Sequence, residues 1–320
     1  MTEALLPVFC LLGPTASGKT AASIELVERY PMEIVSVDSA QVYRLLNIGS
    51  AKPDAAELAR APHALIDVVD PWAAYSVAQF LDDVVVEIKR IHTTGKIPLL
   101  AGGTMLYFSS LWRGMSDLPT SEPSVRNRLQ NFADDHGQQA LYEKLQYVDP
   151  ESAERIHAND PQRIMRALEV FEITGQPLSQ LQSRRNPVKE YDFYNLGLFP
   201  EDRAMLHARI EQRFGLMLEA GFEAEVESLM NLPQMHSELP SMRCVGYRQM
   251  WQHLSGECDR KVMTDRAVAA TRQLAKRQIT WLRSMDGCRM LDPFDESVDL
   301  QDDKLASWLT AGLAKLSAGL

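Results

Sequence analysis

Residues Gly13, Pro14, Thr15, Ala16, Ser17, Gly18, Lys19 and Thr20 place two glycines, a lysine and a hydroxyl at the spacing that grips phosphate. Gly13 and Gly18 let the backbone bend so that successive N–H groups face an anion. Lys19 adds a point charge, and the Thr20 hydroxyl can take a Mg²⁺ position. The apolar run 8–12 precedes this loop and a helical pattern over 21–29 follows it, so a helix N-terminus favours the same anion. With Gly near 7% of residues, a chance match in a chain of this length is on the order of one in a hundred. The motif does not choose its phosphate: a nucleotide, a sugar phosphate and a prenyl diphosphate all fit.

Asp38, at the end of a second apolar run, is the leading candidate for acid–base work, because it can take a proton from a nucleophile attacking something held by its phosphates. Capping of the turn Ser39-Ala40-Gln41 is its structural alternative. Thr104, behind Gly102 and Gly103, offers a hydroxyl where backbone can approach a ligand closely, or else marks a tight turn. His63, His92, His157 and His253 have no partners at ligand-like spacing, and read as structural or surface residues. Cys10, Cys244, Cys258 and Cys288 show no C-x-x-C pairing, which argues against a zinc site or a disulfide framework.

The elements that must position these groups come in two styles. Short, continuously apolar runs at 8–12, 33–37, 64–69 and 97–101 alternate with helical patterns such as 21–29 and 77–92. That alternation predicts an α/β fold, a parallel P-loop sheet covered by helices. Ligands sit at the carboxyl ends of such strands, where the P-loop, Asp38 and Gly102-Gly103-Thr104 all fall. The pattern changes at the Pro-rich linker 117–123. Asp149-Pro150 and Asp160-Pro161 read as N-caps followed by a first-turn Pro, and Gly175 closes the helix over 162–174. Residues 118–191 are thus expected to form an all-helical insertion in a core made of 1–117 and 192–320, with strand character returning over 192–199. Residues 297–320 read as an ordinary amphipathic helix.

With 45% hydrophobic residues in 320, a large core is available, and no stretch approaches a membrane span. The early apolar run follows Glu3 and leads into the loop, so it reads as a strand and not a signal peptide; a cytoplasmic protein is expected. The formal net charge of −10 argues against a polyanionic partner, yet residues 241–290 carry ten Lys/Arg against four Asp/Glu. Within the helix expected over 265–283, Arg272, Lys276 and Arg283 fall on one stripe at about 100° per residue, beside an apolar arc of Leu274, Ala275, Ile279 and Leu282. A phosphate-facing stripe and a merely solvated face both remain open.

Taken in order, these stretches resemble the bacterial tRNA dimethylallyltransferases, also called tRNA isopentenyltransferases, over nearly the full length. The likeness rests on 13–20, 38–43 (DSAQVY), 49–53 (GSAKP), 102–107 (GGTMLY), 155–163 (RIHANDPQR) with 166–170, 243–248 (RCVGYR) and 276–283 (KRQITWLR). Ser50 and Ala158 depart from the usual Thr and Pro. The resemblance implies transfer of a dimethylallyl group from dimethylallyl diphosphate to N6 of the adenosine immediately 3′ of certain anticodons. It assigns the diphosphate to residues 13–20 with Arg163 and Arg213, and Mg²⁺ to Thr20. Asp38 becomes the base, with Lys19, Thr20, Thr104 and Arg163 in catalytic support. Ser39, Ala40, Gln41, Thr104 and Arg126 line the adenine path. Further tRNA contacts fall on Gln162, Arg163, Ile164, Arg166, Arg243, Cys244, Val245, Gly246, Tyr247, Arg248, Arg272, Lys276, Arg277, Gln278, Ile279, Thr280, Trp281, Leu282 and Arg283. The insertion would clamp the anticodon stem of a tRNA bound to a monomer. An ATP-dependent P-loop kinase of a nucleoside or small metabolite is the competing enzyme, and a nucleotide-regulated RNA-binding module the non-enzymatic one; the first leaves the basic region unexplained and the second gives Asp38 no task.

Overall fold

A computed structural model describes residues 5–116, 118–182, 185–186, 190–295 and 303–319. The expected boundary residue Asp117, and the start of the expected terminal helix at Ser297, lie outside them. Two compact units emerge, Met1–Phe108 with Lys189–Leu320, and Ser109–Val188. The strands are β1 (Leu6–Leu12), β2 (Met32–Val37), β3 (His63–Ala64), β4 (Ile97–Gly102), β5 (Met115–Ser116), β6 (Arg185–Asn186), β7 (Tyr191–Leu198) and β8 (Cys288–Leu291).

In the first unit six strands form one sheet in the order β3-β2-β4-β1-β7-β8, with every neighbouring pair parallel. Such a sheet is apolar on both faces, which is why β1 and β4 read as unbroken hydrophobic runs and not as alternating ones. One core cluster joins Phe9, Leu11, Ile24 and Leu26 to Leu309 and Leu316 of the Asp303–Gly319 helix. A second joins Val42 and Leu46 to Ile210, Phe222, Met250 and Ile279, drawn from the helices Arg203–Glu219, Phe222–Met230, Tyr247–Leu254 and Arg260–Arg283.

Register decides where chemistry can occur. Leu12 pairs with Gly102, and Gly102 with Val37, so β1, β4 and β2 end level and their following loops leave one edge of the sheet side by side. A Cβ on Gly102 would lie 2.1 Å from the Val37 carbonyl oxygen, so only glycine allows this approach. The strand expected over 64–69 is corrected to His63–Ala64. Leu65 and Asp67 adopt φ of 59° and 54°, which turns the chain off the sheet, and an isolated Tyr43–Val69 bridge is what continues the pairing.

The second unit is a helical cluster built on Val125, Leu129, Leu141, Leu145, Ile164 and Leu168. The Asp149 and Asp160 side chains accept from the backbone N–H of Ser152 and Arg163, each with Pro at the start of the helix, and Gly175 (φ 69°) closes Pro161–Thr174. Each such cap stabilises its helix by about 1 kcal/mol. Gly137 (φ 87°) kinks the long Pro123–Val148 segment. One short antiparallel pair, β5 with β6, accompanies the helices.

Candidate active site

The P-loop is shaped by close packing and one left-handed residue. A Cβ on Gly13 would meet the Ser17 hydroxyl at 2.7 Å and the Leu198 side chain at 3.1 Å. Gly18, at φ +91°, starts the Lys19–Arg29 helix, which has no side-chain cap and no acidic residue in its first turn. Its first N–H groups are therefore directed at whatever occupies the loop. The Lys19 ammonium donates to the Pro14 carbonyl at 2.7 Å. Burial pulls its pKa down from the usual lysine range to about 7; Asp38 partly opposes this shift and Arg213 reinforces it. The half-buried Arg213 guanidinium has its pKa pulled down by desolvation, and donates to the Thr15 hydroxyl at 2.9 Å.

Beside the P-loop, Asp38 uses Oδ1 to accept from the backbone N–H of Ala40 (2.8 Å) and Gln41 (3.3 Å). The turn-capping role weighed against catalysis is thus real, but it engages one oxygen: Oδ2 has no hydrogen-bond partner among the described residues. Thr104 accepts from the Ser39 N–H at 3.0 Å, which ties the loop after β4 to the loop after β2. Gln41 is held by Ser36 (3.0 Å) and by the Ala51 carbonyl (3.1 Å).

These groups open on one cavity of about 680 Å³, lined by Lys19, Thr20, Asp38, Thr104 and Arg213, with Tyr43, Tyr75, Phe214 and Met217 as apolar wall. Arg243, Cys244, Val245 and Gly246 reach it, as do Thr271, Leu274, Arg277, Gln278 and Trp281 from the Arg260–Arg283 helix. Burial raises the Cys244 thiol to about 12, with the Asp38 charge adding to the effect, so it is inert as a nucleophile. An anion cradle, a carboxylate and an apolar wall share one space large enough for a small diphosphate ester and a base.

A model of the IPP transferase family matches residues 41–285, and one of isopentenyl transferases matches residues 6–68. The chain belongs to the IPP transferase family. It is 34% identical to a full-length tRNA isopentenylpyrophosphate transferase from Bacillus halodurans, over 98% of this chain and 97% of that one, with a TM-score of 0.67. A Staphylococcus epidermidis tRNA isopentenylpyrophosphate transferase is 31% identical over 95% and 99%, with a TM-score of 0.65. A eukaryotic dimethylallyltransferase acting on tRNA is 27% identical over 91% of this chain and 74% of its own, at a TM-score of 0.77.

Within this IPP transferase the sequence-predicted residues divide. Thr15, Lys19, Thr20, Asp38, Ser39, Ala40, Gln41, Thr104, Arg213, Arg243, Cys244, Val245, Gly246, Arg277, Gln278 and Trp281 meet at the cavity. Tyr247 does not: it is fully buried and donates its hydroxyl to Glu225 at 2.5 Å, so it is a core residue. Ile279 and Leu282 are likewise core, and Ile164 is buried in the second unit, so none of the four offers a side chain to RNA. Arg166 is held by Glu169 (3.0 Å) and the Pro119 carbonyl (2.7 Å), which makes it an internal strut. Arg126 and Gln162 are exposed in that unit, and Arg163 pairs with Asp160 at 3.3 Å on the surface.

The stripe of Arg272, Lys276 and Arg283 lies apart from the cavity. Arg272 pairs with Glu211 at 3.0 Å, and Arg283 lies 5.3 Å over the Phe199 ring. They share a face of the helix that the cavity does not touch. Lys276, Thr280 and Arg248 are exposed. The apolar wall was missed, although Phe214 and Met217 sit one and four residues beyond Arg213 on one helix, a spacing the sequence displays.

Proposed function

We propose that this chain transfers a dimethylallyl group from dimethylallyl diphosphate to the exocyclic N6 of the adenosine immediately 3′ of the anticodon in tRNA, giving N6-isopentenyladenosine and diphosphate. The observation that carries the reading is the pairing of a free carboxylate oxygen on Asp38 with the Lys19 and Arg213 cations around one cavity. Cleavage of the allylic C–O bond sends an electron pair to the leaving diphosphate. N–H groups at the helix start, Lys19 and Arg213 stabilise that charge. The N6 nitrogen forms the new C–N bond and loses its proton to Asp38, which orients the amine beforehand. Tyr43, Tyr75, Phe214 and Met217 suit the five-carbon tail.

Mg²⁺ fits this arrangement. Thr20 contributes one hydroxyl oxygen at the cavity, and no group of three or more His, Cys, Asp or Glu able to hold a metal occurs among the described residues. Mg²⁺ commonly takes few protein ligands and completes its shell with phosphate oxygens and water. When bound it neutralises diphosphate charge.

An adenine stacked in the anticodon loop must be splayed out to reach Asp38, at a cost of a few kcal/mol. Exposed Arg243, Arg248 and Arg277 are suited to the phosphate backbone, and the helical unit with Arg126, Gln162 and Arg163 to the anticodon stem. The reading is completed by a monomer acting on tRNA in the cytoplasm. Among the described residues no helix is long and apolar enough to cross a membrane. Mass spectrometry of nucleosides from tRNA incubated with protein, Mg²⁺ and dimethylallyl diphosphate tests the reading. Isopentenyladenosine is expected; its absence, together with ATP turnover on a small hydroxyl acceptor, would favour a kinase.

A further inference from the structure

Gln278 is the polar exception on the buried side of its helix, among Ala275, Ile279 and Leu282, and is 9% exposed. Its two amide atoms point at two different loops. Oε1 accepts from the Thr15 N–H at 2.8 Å, and Nε2 donates to the Gly103 carbonyl at 2.8 Å. The orientation of the carboxamide is fixed by its partners, since one can only donate and the other only accept. A Cβ on Gly103 would lie 2.4 Å from Nε2, so the absence of a side chain at 103 makes room for this amide.

Each partner leads to one half of the reaction. The Thr15 hydroxyl accepts from Arg213 beside the anion cradle. Thr104, next after Gly103, accepts from the Ser39 N–H beside Asp38. One side chain therefore stands between the loop that holds the electrophile and the loop after β4, whose Thr104 is in turn tied to the loop that holds the base.

We propose that Gln278 is a positioning residue that keeps the diphosphate cradle and the acceptor loop in register, and not a tRNA contact. This rests on the transfer reaction argued above. Misplacement by about 1 Å between reacting groups costs roughly 10²-fold in rate without any loss of binding contacts. Gln278→Met nearly conserves volume and removes both bonds. Gln278→Glu keeps an acceptor for Thr15 but sets an oxygen against the Gly103 carbonyl until the introduced carboxyl is protonated.

Single-turnover prenyl transfer, donor and tRNA binding, and backbone amide exchange at Thr15 form the test. Gln278→Met should lower the transfer rate about 10- to 100-fold while donor and tRNA Kd move less than about threefold, and Thr15 exchange should accelerate. Gln278→Glu should retain Thr15 protection, and its rate relative to the unsubstituted protein should rise as pH falls. Lys19, Asp38, Arg213 and Arg277, which face this cavity, are common to both proteins, so the comparison is read as a ratio. A Gln278→Met rate within about twofold of the unsubstituted enzyme, or a loss residing wholly in tRNA Kd, overturns the proposal. Should Gln278→Met fail to fold, a pH-independent ratio for Gln278→Glu overturns it instead. If the unsubstituted protein transfers no prenyl group, the functional reading falls, and Thr15 exchange still decides whether Gln278 holds the loop.

Discussion

Two faces of the Arg260–Arg283 helix carry opposite lessons. Thr271, Leu274, Gln278 and Trp281 line the cavity, while Arg272, Lys276 and Arg283 lie roughly 160° round the helix. Counted by charge, the second face is the functional one. Its arginines are nevertheless engaged locally, one with Glu211 and one over Phe199, whereas the first face reaches the cavity with a single cation, Arg277, at its margin. Local charge density identifies an element suited to a polyanion. It does not identify the side chains that meet it, because an ion pair on the surface and a phosphate contact leave the same trace in the sequence.

The largest expected effect breaks the comparison if it fails. Asp38→Asn should lower the transfer rate roughly 10²- to 10⁴-fold with little change in tRNA affinity, since a hydrogen-bonding side chain stays and only the base is lost. A single-turnover rate within a few-fold of the unsubstituted enzyme would move the chemistry away from the cavity.

Next comes Lys19. Its folded pKa lies near 7, so above that pH the ammonium is largely deprotonated in the ligand-free cradle, and an arriving diphosphate raises the pKa by adding negative charge. Binding should then take up a proton at about pH 8 and hardly any at about pH 6. Calorimetry in buffers of differing ionisation enthalpy reads this directly. The uptake should vanish in Lys19→Met, which also binds the donor more weakly.

The two helix faces are compared most directly through tRNA binding. Trp281, 39% exposed at the cavity, is suited to stack on a splayed base, and Trp281→Ala should weaken binding by about 1–3 kcal/mol. Arg277→Ala should reduce the slope of log K against log salt by roughly 0.7 to 0.9. The triple variant Arg272→Ala, Lys276→Ala, Arg283→Ala should change affinity less than Arg277→Ala alone, and lose at most about 1 kcal/mol of stability from an exposed ion pair and a cation–π contact. A larger slope change in the triple variant would reverse the assignment of faces.

The P-loop, Asp38 and Thr104 could be read from residues alone because each follows an apolar run that ends in glycine or a short polar residue, and parallel sheets gather strand ends. What escaped has physical causes. β8 has only four residues, all half-buried, too short a run for periodicity to declare. The third strand failed because positive φ at Leu65 and Asp67 is set by tertiary packing and not by residue type. Tyr247 carries a polar atom that could face solvent, and only Glu225, distant in sequence, turns it inward. Gln278 sat among the suspected RNA contacts since nothing in a helix pattern reveals which loops its amide will find.

The level ending of β1, β4 and β2 fixes how this chain can lengthen or shorten. An added residue inside any of these strands would turn its following loop to the opposite face, because side chains alternate with a period of two. The Ser109–Val188 segment is a compact unit of its own that contains none of these three strands, so insertions and deletions there leave their residue count untouched. Length variation among related chains should therefore gather in that segment and in the surface turns. The spans from Leu6 to Thr20, Met32 to Asp38 and Ile97 to Thr104 should keep a constant residue count.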